Sequence, residues 1–177
     1  MKDLSYLHRS NAENNELTRE ALETALSLLL KEKTIDRISI TDLVKKAGVA
    51  RNSFYRNYDS KEDVLRSILQ EKFAQLSSHN VVRFQKNPQE GIEAFLEFIA
   101  DDFDFFKLML SENLRYLIEE EIYRYQPDAF QENNDIDRIR NYFVASGTSR
   151  ILADWIGDKN HYSPKEMAAI CYRLIED

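Results

Sequence analysis

The segment of residues 39–65 constrains the fold more than any other part of the chain. It reads SITDLVKKAGVARNSFYRNYDSKEDVL. Ser39 and Asp42 have the spacing of a capping box, with Asp in place of the usual Glu or Gln, and predict the start of a short helix. Gly48 suits the left-handed conformation that ends such a helix. A second short helix is expected over residues 51–57. This is the layout of a helix-turn-helix, whose second helix can lie in the major groove of DNA.

Apolar spacing predicts a further helix on each side of this motif. The first is expected to begin near Leu17, after a polar segment, residues 1–15, that we expect to be disordered or frayed. Its apolar face comprises Leu17, Ala21, Leu22, Ala25, Leu28 and Leu29. After the motif, Asp59 or Ser60 caps the next helix. The apolar residues expected to pack the motif around its turn are Leu43, Val44, Ala47, Val49, Phe54 and Tyr58.

Few helix-breaking residues interrupt the chain, which has 4 Gly and 3 Pro among 177 residues. This scarcity favours long helices over a sheet rich in turns and predicts an all-α fold. No apolar run reaches the roughly 18 residues of a membrane span, and the polar N-terminus lacks the pattern of a signal peptide. Cys171 is the only cysteine, so no disulfide framework and no Cys-based metal site are expected. We therefore expect a cytoplasmic protein with no cofactor, no metal and no membrane partner.

More amphipathic helices are expected after a break over residues 79–88. They cover residues 91–102, 105–110, 114–125, 136–156 and 164–175, with a loop over 126–134. Ser163 and Pro164 mark the start of the last helix, because Ser suits the cap and Pro the first helical position. The predicted organisation is a frayed N-terminus (1–15), a helix-turn-helix domain (16–60), a linking helix (61–78) and a C-terminal helical domain for dimerisation and effector binding (79–177).

The charges are distributed unevenly along the chain, whose net charge is −7. Residues 1–75 hold 13 Lys and Arg against 12 Asp and Glu, a net of +1, and residues 76–177 hold 11 against 19, a net of −8. Within residues 37–61, six basic residues face two acidic ones, a net of +4. Phosphates respond to local charge because the Debye length is about 8–10 Å. The negative net charge of the whole chain is therefore compatible with DNA binding by its N-terminal part.

Several short groups of residues match a known family pattern. They are Ile40-Thr41 opening the second helix, Ala47-Gly48-Val49 at the turn, Ser53-Phe54-Tyr55 with Tyr58, and Ser60-Lys61-Glu62 opening the fourth helix. With them, residues 17–73 resemble the N-terminal domain of the tetracycline-repressor-like (TetR) family of bacterial transcription regulators. Many members have Phe at the position of Tyr58, and often Leu at that of Phe54, and both replacements keep a bulky apolar residue there. The motif spreads over some 25 residues of mixed type, which makes it more specific than a short pattern.

A weaker resemblance extends to the C-terminal part, which is similar to a subgroup with a short effector domain. The residues that carry it are Tyr142-Phe143, Gly147, Asp154-Trp155 and Ser163-Pro164-Lys165-Glu166-Met167-Ala168. The family resemblance implies a homodimer whose last two long helices form a four-helix interface, and a small-molecule effector in some members. It further implies a bacterial repressor that binds a pseudo-palindromic operator, with nucleoid association when bound. The alternatives are a partner-controlled or activating member of the family and a ligand-binding scaffold with a non-functional DNA head.

The candidate DNA-binding residues lie on and around the second helix of the motif. Arg51, Asn52 and Ser53 stand at its N-terminal end, which points at bases in helix-turn-helix docking. Arg can make a bidentate contact to guanine, and Asn one to adenine. The resemblance implies phosphate contacts by Tyr55 and Lys61 and a DNA contact by Thr41, with Arg56 and Asn57 flanking them. The alternative for the basic residues is a solvated charged face, and their position in a DNA-binding module favours the DNA contact.

Two further sets of candidates lie in the C-terminal part. The candidate effector pocket comprises Phe95, Phe98, Phe106, Met109 and Tyr142. The candidate dimer interface comprises Ile139, Phe143, Gly147, Ile151 and Trp155 in the long helix, and Met167, Ile170 and Leu174 in the last one. An apolar stripe at helical spacing is equally what a plain helical core needs, so the pattern alone leaves that alternative open for each residue.

The sequence offers no catalytic constellation. His8, His79 and His161 are scattered, and neither an HExxH motif nor a phosphate-binding Gly loop nor a nucleophile elbow is present. Cys171 lies on an apolar helix face and is expected to be a core residue. We therefore expect a protein that is not an enzyme.

Overall fold

The computed structural model describes residues 4–111, 113–125, 134–157 and 162–176, with the side chains of residues 14–76, 83–111, 113–125, 134–157 and 162–174. This part of the chain is mostly helical and contains no strand, which confirms the predicted all-α fold. The helices are α1 (Leu4–Leu30), α2 (Ile40–Ala47), α3 (Arg51–Asn57), α4 (Lys61–Lys86), α5 (Pro88–Asp101), α6 (Phe103–Met109), α7 (Arg115–Arg124), α8 (Asp135–Gly157) and α9 (Pro164–Glu176), with a 3₁₀ helix (Ile35–Arg37) before α2. The chain divides into two compact units, residues 1–68 and 69–177.

The capping box that begins α2 is present in the structure. The Ser39 amide donates to the Asp42 carboxylate at 3.1 Å, and the Asp42 amide donates to the Ser39 hydroxyl at 3.0 Å. The Ser39 hydroxyl also donates to the Asp42 carboxylate, at 2.9 Å. The Ser39 amide and hydroxyl together hold the pKa of Asp42 below its ordinary value because they stabilise the charged form. The same reciprocal pattern begins α4, between Ser60 and Asp63. Each box satisfies amides that the first turn of a helix leaves without an intrahelical partner.

Gly48 ends α2 in the left-handed conformation, with φ 68° and ψ 26°. Its amide donates to the carbonyl oxygens of Lys45 and Val44, as predicted for a glycine C-cap. A Cβ at this position would strain the backbone even though nothing lies within 4 Å of it, because left-handed residues with a Cβ cost roughly 1–2 kcal/mol.

We predict that Gly48→Ala lowers the free energy of unfolding by about 1–2 kcal/mol. Gly157→Ala is the matched control, since that glycine also has open space around it but has no positive φ. We expect the control to change stability by less than about 0.5 kcal/mol. Chemical denaturation of both variants measures the difference, and equal stability of the two would contradict the strain at Gly48.

The core of the first unit differs in part from the predicted apolar face of α1. Leu22, Ala25 and Leu29 are buried as predicted, and Leu26, which lies outside the predicted set, is buried with them. Ala21 is half-buried, whereas Leu17 and Leu28 are exposed. The buried face of α1 is therefore narrower than the sequence predicts. The two exposed leucines line an open groove of about 410 Å³ together with residues of α2. In the motif, Leu43, Val44, Phe54 and Tyr58 are buried, while Ala47 and Val49 are half-buried.

Three predicted boundaries are wrong, and local sequence explains each of them. Helix α1 begins at Leu4 rather than near Leu17, because no Gly or Pro interrupts this polar segment. Helix α4 continues to Lys86 without the expected break near residue 79, for the same reason. The next residue, Asn87, precedes Pro88 and caps α5 through its side chain. Helix α5 consequently begins at Pro88, three residues before the predicted start.

The second unit contains the remaining helices close to their predicted positions. Helix α5 packs against α9, and α7 packs against α8. Ser163 and Glu166 form a capping box at the start of α9, which confirms the predicted start signal. Of the expected loop over residues 126–134, only Asn134 lies inside the described residues; it caps α8 through its side chain.

Candidate nucleic-acid interface

Helix α3 has one buried and one exposed face. Phe54 is fully buried, and Tyr58, which directly follows the helix, is 7% exposed. Arg51, Asn52, Tyr55 and Arg56 point to the exterior, as the i, i+1, i+4, i+5 spacing requires. Ser53 is half-buried. The face that carries the candidate DNA-binding residues is therefore accessible. The opposite face packs α3 into the first unit, residues 1–68, which we call the head.

Three of the candidate DNA-binding residues meet in one cluster. A terminal nitrogen of the Arg51 guanidinium donates to the Thr41 hydroxyl at 3.2 Å, and the other donates to the Tyr55 hydroxyl at 3.1 Å. The guanidinium also lies 5.5 Å from the centre of the Tyr55 ring. The cluster joins the start of α2 to the exposed face of α3, although Thr41 and Arg51 are ten residues apart.

Asn52 and Arg56 flank this cluster on the exposed face. Both side chains are exposed, and neither forms a hydrogen bond with another side chain or a carbonyl among the described residues. Lys45 and Lys46 are also exposed in the last turn of α2. The head therefore presents hydrogen-bond donors and positive charge to the solvent on the side where α2 and α3 meet.

Two other candidates are engaged within the head. The Asn57 amide donates to the Ser53 carbonyl at 2.8 Å and is half-buried. The Lys61 ammonium donates to the carbonyls of Ile35 and Ile38 at 2.8 and 2.7 Å. Lys61 thus uses two of its three N–H donors to hold the 3₁₀ helix against the start of α4. One N–H of this ammonium is left for another acceptor, such as the phosphate that the resemblance implies.

A polar network behind α3 was missed at the level of sequence. The buried Tyr58 hydroxyl donates to the Glu23 carboxylate and accepts from the Arg19 Nε at 3.3 Å. Arg19 also donates to the Ser67 hydroxyl at 2.9 Å. Burial is the main cause that raises the pKa of Tyr58, so its hydroxyl stays a donor. The network joins α1, the end of α3 and α4. Its sequence signals are Tyr58, at a position where many family members have Phe, and the pair Arg19 and Glu23, which are four residues apart.

Three of the five candidate effector-pocket residues, Phe95, Phe98 and Phe106, lie in an aromatic cluster of the second unit. Phe106 and Met109 are fully buried. The ring of Phe98 lies 5.2 Å from Phe106 and 5.8 Å from Phe73, which in turn contacts Phe95 and Tyr125. Most of these contacts are edge-to-face, the arrangement that aromatic quadrupoles prefer. Tyr142 stands apart from these contacts: it is 55% exposed and stacks on Tyr123 at 4.8 Å.

A groove next to the aromatic cluster has a volume of about 260 Å³. Phe98 and Leu76 supply its apolar wall, and Arg83, Glu97 and Asp101 lie along it. Among the described residues no group of His, Cys, Asp and Glu could hold a metal ion. Cys171 is half-buried, and burial raises the pKa of its thiol, which disfavours the reactive thiolate.

The candidate dimer residues fall into two groups. The first group is exposed and comprises four residues of α8 at intervals of four, Ile139, Phe143, Gly147 and Ile151. It also includes Ile170 and Leu174 of α9, which are exposed as well. Phe143 is 80% exposed. Trp155 and Met167 are instead buried within the protomer, and the Trp155 indole donates to the Tyr162 carbonyl at 2.8 Å. We call the six exposed residues the α8/α9 stripe.

Both parts of the chain match known families. Residues 22–68 match the family described as bacterial regulatory proteins, tetR family, and residues 86–177 match a TetR-type family described as transcriptional regulator C-terminal region. The second match alone covers more than half of the chain. The protein therefore belongs to the TetR family of transcriptional regulators, with a helix-turn-helix in its N-terminal part.

Individual relatives agree with this assignment. A stretch of 71 residues is 32% identical to the uncharacterized HTH-type transcriptional regulator YxbF of Bacillus subtilis, covering 40% of this chain and 19% of that protein. The structure of Lin0861 from Listeria innocua is similar, with a TM-score of 0.70 at 13% identity over 92% of this chain and 91% of that one. FadR of Thermus thermophilus, a TetR-family repressor solved with lauroyl-CoA, is also similar, with a TM-score of 0.64 at 18% identity over 89% of this chain and 93% of that one.

In the part of the chain that the structure describes, no helix is long and apolar enough to cross a membrane.

Proposed function

We propose that this regulator binds a pseudo-palindromic DNA operator as a homodimer and represses transcription from it. The observation that carries the proposal is the exposed face of α3, where Arg51 is held beside Thr41 and Tyr55 while Asn52 and Arg56 project into solvent. Arg, Asn, Thr and Tyr side chains are the donors that reach base edges and phosphate oxygens. The acidic C-terminal part would be repelled by phosphates, so the charge distribution favours approach of the head.

The α8/α9 stripe supports the proposed homodimer. Isolated exposed apolar residues are ordinary, but contiguous apolar patches on a protein surface mark interaction sites. Here four apolar or small residues of α8 follow one another at four-residue spacing and α9 adds two more exposed apolar residues, and the tetR family assignment supports a second copy of the chain as the occupant. A two-fold dimer would place the two copies of α3 about 34 Å apart, one turn of DNA, and so fix the spacing of the half-sites.

Release by a small molecule is the regulatory part of the proposal. The related FadR of Thermus thermophilus was solved with lauroyl-CoA, and the aromatic cluster of the second unit offers an apolar environment for an effector here. Such a ligand can shift the protein only if it binds the non-operator conformation more tightly than the operator-bound one. Phe95, Phe98, Phe106 and Met109 remain the proposed pocket residues. Tyr142 is less suited to that role, because it is exposed and stacks on Tyr123 instead.

Selection of DNA from a randomised pool of duplexes tests the proposal. We expect the wild-type protein to enrich a pseudo-palindrome whose half-sites are centred about one helical turn apart. Arg83→Ala is the matched control for any Arg variant of α3, because Arg83 is exposed and lies in the second unit. It should enrich the same sequence. Enrichment of no sequence, or of a single unpaired half-site, would contradict the proposed operator or the proposed dimer, respectively.

A further inference from the structure

The Arg51 guanidinium is held in place before any DNA arrives. Its two terminal nitrogens donate to hydroxyls on two different helices, Thr41 at the start of α2 and Tyr55 one turn along α3. Its plane also contacts the Tyr55 ring. No carboxylate among the described residues forms an ion pair with Arg51, so its positive charge is not neutralised within the head.

The arrangement still leaves the donors that a bidentate base contact needs. A guanidinium has five N–H donors, two on each terminal nitrogen and one on Nε. The two hydroxyls take one donor from each terminal nitrogen, and one remains on each. A side chain as flexible as Arg carries about 2 kcal/mol of rotamer entropy. Restraining it in advance lowers the cost of placing its donors against the O6 and N7 atoms of guanine.

We propose that Thr41 and Tyr55 set the guanine preference of the operator contact by positioning Arg51. This inference rests on the proposed function and adds to it: the two hydroxyls act through Arg51 rather than on the DNA. The competing role is direct contact with phosphate, which the family resemblance implies for Tyr55. The two roles differ in a measurable way, because phosphate contacts carry no sequence information and base contacts do.

A double-mutant cycle separates these roles. Tyr55→Phe keeps the ring beside Arg51 and removes only the hydroxyl, and Thr41→Val removes the other hydroxyl with little change of shape. The probe is the duplex that wild-type protein selects, together with the same duplex carrying adenine in place of the contacted guanine in both half-sites. We expect each variant to reduce the preference for guanine about tenfold to a hundredfold, the effect of losing one hydrogen bond in each of the two half-sites. In an Arg51→Ala background neither variant should change that preference further.

Tyr58→Phe is the matched control because it removes a tyrosine hydroxyl from the same head on the buried side. It loses the hydrogen bonds to Glu23 and Arg19, so its melting temperature should fall while its base preference stays that of the wild type. The inference is overturned if Tyr55→Phe weakens binding equally on both duplexes and still does so without Arg51, or if it has no effect on either. A wild-type protein without any base preference would overturn the proposed function itself, and this inference with it.

Discussion

Replacing Gly147 with leucine is expected to dissociate the proposed homodimer while leaving the folded protomer at least as stable. Gly147 lies in the middle of α8, within the exposed α8/α9 stripe, and an added Cβ would meet nothing within 4 Å in the protomer. Glycine inside a helix costs about 1 kcal/mol relative to alanine. The protomer thus gives no reason for a glycine there, whereas close approach of a second helix does.

The size of the effect follows from two-fold symmetry. Inserting a larger side chain into a packed contact costs roughly 1–3 kcal/mol, and in a symmetric dimer each substitution occurs twice. The combined cost of roughly 2–6 kcal/mol raises the dimer dissociation constant by about 30-fold to more than 10⁴-fold. Sedimentation measures the association, and thermal unfolding measures the protomer.

Gly157→Leu is the control for this prediction. Gly157 also has open space around it, is exposed and lies in the same helix, but it is at the end of α8 and outside the stripe. We expect this variant to dimerise as the wild type does. If Gly147→Leu associates as tightly as Gly157→Leu, the two copies do not approach each other at the centre of α8.

The Arg51→Ala, Asn52→Ala double variant is expected to lose most sequence-specific DNA binding. Each good bidentate contact contributes about 1–3 kcal/mol of discrimination between bases, and a dimer makes each contact in both half-sites. The loss of two such contacts per half-site is enough to remove a specificity ratio of about 10³ or more. The residual affinity should be the salt-sensitive, sequence-independent part that the remaining basic residues supply.

Fluorescence anisotropy on the selected duplex and on a scrambled duplex of equal composition measures this loss. Both side chains are exposed, and Phe54 and Tyr58 on the buried face are unchanged, so the fold should be retained. The control is Arg83→Ala in the second unit, which should keep the wild-type ratio of affinities. A double variant that keeps the wild-type ratio would show that bases are read by other residues.

The sequence predicts the motif well because its signals are local. The capping boxes, the left-handed Gly48 and the alternation of buried and exposed positions in α3 each depend on residues within one or two turns. The beginnings of α1 and α5 and the continuation of α4 were harder to predict. A polar segment without Gly or Pro reads as a loop by composition, yet nothing in it prevents a helix from continuing.

The contacts made by site residues depend on tertiary structure and are not encoded in spacing. Lys61 binds the carbonyls of Ile35 and Ile38 only because the 3₁₀ helix is placed beside the start of α4. The cluster of Arg51 with Thr41 likewise requires the angle between α2 and α3. For the same reason, the apolar pattern of α8 and α9 could not tell the exposed Phe143 from the buried Trp155.

The ratio of affinities for the selected and the scrambled duplex, measured over a range of salt concentrations, tests the central claim most directly. The account predicts that wild-type binding to both duplexes weakens as salt rises, because counterions are released when basic residues meet phosphates. It also predicts that the selected duplex is preferred by a factor of about 10³ or more at physiological salt. A ratio near one at every salt concentration would contradict the proposal that α3 reads the bases of an operator.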